Sequence, residues 1–187
     1  MFRGLLAFVL MAAPTAAVTA TADESDGWGL SAMPNGCMVQ AVSPGGTMIS
    51  IWGFAGEGKI AFLLQNPEWS SIRDGTSYDI KVDFLGVRTM PVDATAKQNI
   101  DSDGPGFFFT VEPGATSGNG FIDAFSTASG MRILQDGRDV DTLPLAGGRG
   151  AMASLAKCLA EKWNAGLPTA EAGEENEALS EAAGFAI

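Results

Sequence analysis

The sequence predicts a mainly β fold: a sandwich or open barrel of about eight short strands, with a short helix and a C-terminal helix packed on it. Three observations carry that expectation. Through most of the chain, apolar and polar residues alternate over short runs, the pattern of half-buried strands. Glycine, proline and asparagine break those runs at close intervals; 24 Gly and 9 Pro in 187 residues supply turns enough for many short strands. Only near the end, in "GGRGAMASLAKCLAEKW", does the apolar spacing lengthen to that of a sustained helix.

Taken in order, "WGLSAM" from Trp28 is a strand that ends at the turn Pro34-Asn35-Gly36, and "CMVQAV" from Cys37 is a second that runs into Pro44-Gly45-Gly46. "TMISIWGF" from Thr47 turns at Gly56-Glu57-Gly58. "KIAFLLQ" from Lys59 is almost wholly apolar, as a strand covered on both faces would be. "NPEWSSIRDG" is a connector with room for one helical turn. "SYDIKVDFLG" from Ser77 is the clearest strand, with Tyr78, Ile80, Val82 and Phe84 on one face and Asp79, Lys81 and Asp83 on the other. "VRTMPVDA" from Val87 carries Pro91 and suits a sheet edge, because proline donates nothing to a ladder. "GFFFTVE" from Gly106 puts phenylalanine on both faces.

The short helix is expected over "NGFIDAFSTA", where Phe121, Ile122 and Phe125 share a face. "MRILQDG" and "RDVDTLPL" then form a hairpin joined at Asp136-Gly137. In the last helix Met152, Leu155, Leu159 and Trp163 make an apolar stripe with Cys158 beside it.

The chain opens "MFRGLLAFVLMAAPTAAVTATADE". Arg3, an apolar run too short to span a bilayer, and Ala20-Thr21-Ala22 have the layout of a secretory leader cut after Ala22. A single β-rich domain is expected over residues 23–165. Residues 166–187 carry five Glu and neither Lys nor Arg, the composition of an acidic, disordered tail. The location expected is periplasmic or secreted. The formal net charge is −11, and loss of Arg3 makes it more negative, which disfavours binding to nucleic acid or to anionic lipid surfaces. Cys37 and Cys158 are the two cysteines, and in an exported chain they suggest one disulfide.

Little else points to chemistry. The chain has no histidine, so Ser-His-Asp and Cys-His catalytic arrangements and His-ligated zinc, copper or haem sites cannot be built. "NIDSDG" places Asn99, Asp101, Asp103 and Gly104 as the opening of a calcium loop would. It then fails: the position of the bidentate Glu is Thr110, and no helix is expected before it. Asn99, Asp101 and Asp103 are a calcium candidate, with a polar turn as the simpler reading. No other cofactor is indicated. "SLAK", Ser154 to Lys157, matches S-x-x-K but lacks its companion S-D-N and K-T-G elements. "GGRG", Gly147 to Gly150, precedes a helix without the ending of a P-loop. Asp101 with Asp103, and Asp136 with Asp139 and Asp141, are acids near one another in sequence. Asp in turns commonly serves conformation rather than catalysis. Trp52 and Trp69 are of a type that stacks on sugars, with burial as the default reading, and Met33, Met38, Met48, Met90, Met131 and Met152 read as core filler.

The order of "FLLQNPEWSSIRDGTSYDI" and "ILQDGRDVDTLPLAGGRGAMASLAKC", with the Trp28 strand before Cys37, resembles the invasion-associated locus B-like proteins, small exported proteins of Gram-negative bacteria. The resemblance lies in hydrophobics and turns. It departs from the family in lacking further cysteines near the middle and a Gly-Phe before the last helix. It implies a bacterial envelope location and a non-enzymatic β-rich body, and it transfers no functional residue. The expectation is therefore an exported, non-catalytic binding protein of the bacterial envelope with a protein partner. The alternatives are an inhibitor of a basic secreted enzyme such as a lysozyme, and a small carboxylate-based glycan hydrolase.

Overall fold

The computed structural model describes residues 27–98 and 104–165. The stretch expected to be a leader (1–22), the one expected to be a tail (166–187) and the calcium candidates Asn99, Asp101 and Asp103 lie outside them.

Nine strands follow the chain: β1 (Gly29–Met33), β2 (Gly36–Val42), β3 (Met48–Phe54), β4 (Ile60–Gln65), β5 (Ser77–Phe84), β6 (Arg88–Lys97), β7 (Gly106–Val111), β8 (Gly130–Gln135) and β9 (Arg138–Pro144). Helix α1 (Thr116–Thr127) stands between β7 and β8, and α2 (Gly148–Asn164) follows β9. All nine strands join one antiparallel sheet, ordered β1-β2-β3-β4-β7-β6-β5-β8-β9, which curls into a half-barrel. Of the two β architectures the sequence allowed, the open barrel is the one adopted.

The concave side is filled rather than hollow. Phe62 of β4 stacks on Phe109 of β7 at 5.2 Å and meets the edges of Phe121 and Phe125, the two aromatic side chains that α1 drops into the curl. Phe121 reaches across to Phe84 of β5 at 4.9 Å, and Phe125 to Trp28 at 5.7 Å. Each ring is buried, and a buried aromatic side chain of this size contributes about 1.5–3 kcal/mol. Trp28 also donates its indole N–H to the Ala146 carbonyl, tying the start of β1 to the chain beyond β9.

Three local expectations are corrected. Pro91 lies in an internal strand, not at an edge: β6 sits between β5 and β7. Proline is tolerated because β7 pairs only with Thr95, Ala96 and Lys97, so the stretch holding Pro91 has a neighbour on one side alone. Trp163 does not continue the buried stripe of α2. Met152 and Leu155 are buried, Leu159 is half-buried, and Trp163 overhangs the rim, 59% exposed. Met38 and Met48 are also not core filler, because both lie on the convex face, half-buried. Met131 and Met152 are in the core.

Helix α2 covers the concave side of β1, β2 and β3, and two contacts fix it there. Cys37 of β2 and Cys158 of α2 form the disulfide, with Cα atoms 6.2 Å apart and a sequence separation of 121. One residue along, Leu159 lies over Gly53 of β3, where a Cβ would stand 2.5 Å from Leu159 Cδ1. The helix itself buries mostly small residues, Gly148, Ala151, Met152, Leu155 and Cys158, so its apolar area alone holds it weakly.

Closing a loop of this length by a disulfide stabilises by about 4–5 kcal/mol in the chain-entropy account. Replacing both Cys37 and Cys158 by Ser is expected to lower the free energy of unfolding by about 4 kcal/mol. Urea denaturation of the two proteins measures it, and a loss below about 1 kcal/mol would contradict the fixing role of the bridge.

Candidate functional site

One mouth of the half-barrel is closed by polar side chains from distant parts of the chain. Thr47, at the entry to β3, is fully buried. Its hydroxyl donates to an Asp141 carboxylate oxygen on β9 and accepts from Asn66 Nδ2 at 2.8 Å. Asn66 also accepts from the Glu68 amide, and Ser43 Oγ accepts from the Thr47 amide. Gln65 donates to the Gly104 carbonyl, and the Asn66 amide to that of Pro105. The exit of the "NIDSDG" segment is thus sewn to the end of β4. Every group here has a structural partner, which suits a clasp that ties the edge strand β9 to the β3–β4 region of the curled sheet.

Of the acids singled out in the sequence, the described ones, Asp136, Asp139 and Asp141, have structural roles. Asp136 holds φ 51° in the two-residue turn before Gly137, the left-handed geometry that the β8–β9 hairpin requires. Asp139 stands 3.8 Å from Arg132 Nε, and Asp141 belongs to the clasp. On the convex face, Arg132 of β8 donates to Asp83 of β5 at 2.6 Å, and Thr89 adds a hydroxyl donor at 2.8 Å. The Arg132 bond, helped by Thr89, holds the Asp83 carboxyl below its ordinary value of 3.8, and the same bond raises Arg132.

"SLAK" and "GGRG" resolve into helix structure. Lys157 lies on the exposed side of α2 and pairs with Glu161 at 4.0 Å. Gly147 caps α2 in the left-handed conformation at φ 76°, and Gly148 lets the helix approach Phe125, whose Cε1 would be 3.3 Å from a Cβ. Arg149 donates to the Ser126 carbonyl in the last turn of α1. Trp69 packs on Phe107 at 5.3 Å, inside the connector. Among the described residues there is no group of three or more His, Cys, Asp or Glu placed to hold a metal.

Among the described residues, an apolar cleft lies open at the opposite rim. Phe54, at the end of β3, and Leu159, Ala160 and Trp163 of α2 line an open cleft of about 410 Å³, with Gly56, Glu57 and Gly58 along its side. From Phe54 the apolar surface continues over the convex face. Trp52 pairs across to Met38 and to Ala61, and Leu63 pairs across to Phe108. Leu63 is 1% exposed and Ala61 7%, while Met38, Trp52 and Phe108 are half-buried. Both helices lie on the other side of the sheet, α1 through Phe121 and α2 through Cys158 and Leu159. The sequence carried the signal for this face in the unbroken apolar run of "KIAFLLQ" and in the middle phenylalanine of "GFFFTV".

No family model matches this chain. No curated protein and no solved structure matches it either. No described helix is long and apolar enough to cross a membrane.

A carboxyl held below its unfolded value stabilises the fold above that value, and the contribution is lost as pH falls through the folded value. Replacing Asp83 by Asn is therefore expected to lower the urea midpoint at pH 7. The gap between the two proteins should close as the pH falls below ~4. A gap unchanged down to pH ~2 would contradict the assignment.

Proposed function

We propose that this is an exported, non-catalytic binding protein of the bacterial envelope, which recognises a protein partner through the apolar rim and convex face around Trp163, Phe54 and Trp52. The observation that carries this reading is Trp163. It is the largest of the exposed apolar side chains, 59% accessible, beside a cleft whose walls are held by a disulfide. A tryptophan on a fixed backbone beside an apolar cleft is the kind of residue on which interface energy concentrates. Its location costs the fold little: α2 would remain docked through Met152, Leu155 and the bridge without it.

The disulfide and the leader-like opening support export. The filled concave side supports recognition on the outside of the sheet, where protein surfaces rather than small molecules dock. The resemblance to the invasion-associated locus B-like proteins points the same way.

The test is a pull-down from envelope extract with the chain Asp23–Ile187, in parallel with Trp163→Ala and Trp52→Ala, each with calcium and with chelator. A partner captured by the parent chain should bind each variant at least ~10-fold more weakly, the cost of losing an interface tryptophan. Calcium should make no difference. Capture unaffected by either substitution would overturn the choice of surface, and capture only with calcium would send attention to Asp101 and Asp103.

A further inference from the structure

We propose that the convex face of β3, β4 and β7 is a docking surface for the chain's own C-terminal segment, Leu179–Ile187, which competes there with the partner. The inference rests on the reading of that face as the binding surface, and three observations carry it.

The first is the face itself. Leu63 and Ala61 are buried in the middle of the convex side of a sheet whose helices both pack on the concave side. Around them Phe54, Trp52 and Met38 stand toward one rim and Met48 and Val42 toward the other, with the Gln40–Ser50 pair between, and Val42 is 66% exposed. A β-strand that is apolar on both faces needs cover on both.

The second is position. Helix α2 delivers the chain to this surface: Trp163, in its last turn, and Phe54, at the end of β3, line the same cleft. The link from Ala165 to Leu179 reaches up to ~45 Å when extended, and β3 from Phe54 back to Met48 is only ~20 Å long. The segment reaches the whole face without strain.

The third is chemistry. "ALSEAAGFAI", Ala178 to Ile187, offers Leu179, Phe185 and Ile187 to an apolar surface, with small residues between them that permit close approach to a sheet. Glutamates precede and interrupt it. Lys162 stands beside Trp163 at the point of exit. A second copy of this chain is a poorer occupant, because it brings a net charge of −11 against −11. A tethered segment acts at an effective concentration of about 1 mM and brings far less charge to the face than a whole second chain.

The test follows oxidation of Met38 and Met48, half-buried on this face, by dilute peroxide in the chain Asp23–Ile187 and in its Phe185→Ser/Ile187→Ser variant. Rates are read by peptide mass spectrometry relative to Met131, which is 2% exposed on the concave side. Phe185 and Ile187 lie beyond the described residues, and the Met131 rate reports whether the sheet itself is disturbed. With a segment Kd of about 0.1 mM, removing the two side chains should speed oxidation of Met38 and Met48 roughly tenfold. A synthetic Ala178–Ile187 peptide at millimolar concentration should restore protection. Equal relative rates in the two proteins would overturn the proposal. So would protection that survives the substitutions but disappears on dilution, which would assign the face to a second copy. Partner capture by the same two proteins separates the claims. Unchanged oxidation with intact capture removes the segment and keeps the binding surface. Faster oxidation with no partner captured by either protein keeps the segment and removes the partner.

Discussion

The bond between Cys37 and Cys158 is the constraint on which the arrangement depends. It joins the second strand to the last helix and so encloses nearly the whole described fold in one loop. The helix it holds has little to hold itself with, because its buried side is mainly glycine, alanine and the cysteine. The missing side chain at Gly53 does the complementary work, admitting Leu159 to the sheet where any Cβ would collide. A covalent link and a vacant position together place a weakly apolar helix across β1 to β3. Trp163 is then carried to the rim as a consequence of where the helix must end.

The same geometry decides which surface is available. Phe121 and Phe125 of α1 fill the curl between β4, β5 and β7, so the concave side is a packed aromatic core rather than a cavity. The Thr47–Asn66–Asp141 clasp and the Trp69 connector close one mouth. The other rim and the convex face are the surfaces that the proposed recognition would use. There the polar half of the sheet, with Asp83, Thr89 and Arg132, lies over β5, β6 and β8, and the apolar half lies over β3, β4 and β7. The division matches the sequence: β5 alternates strictly, and β4 does not alternate at all.

Individual strands were legible because alternation is a local signal. "SYDIKVDF" reads the same in the sequence and in the sheet, and the Asp136-Gly137 hairpin turns where its residues say it should. Strand order was not legible. Nothing local tells β4 to pair with β7 rather than β5, since that choice is made by the core that Phe62 and Phe109 build together. α1 begins at Thr116, earlier than its apolar period suggests, because "TSGNG" contributes a helical turn without contributing a face. The clasp had no signal either: Thr47, Asn66 and Asp141 are ordinary polar residues until the fold brings them together. For the candidate surface, the double-sided hydrophobicity of β4 was visible in advance, whereas the exposure of Trp163 depends on the exact seat of α2 and was not.

Amide hydrogen exchange of the chain with the bridge intact and after mild reduction tests the central claim most directly. If the Cys37–Cys158 bond is what holds α2 on the sheet, reduction should release Gly148–Asn164 to fast exchange first. The central strands β3, β4 and β7 should keep their protection. Protection of α2 that survives reduction, or that is lost together with the sheet in one step, would contradict the account.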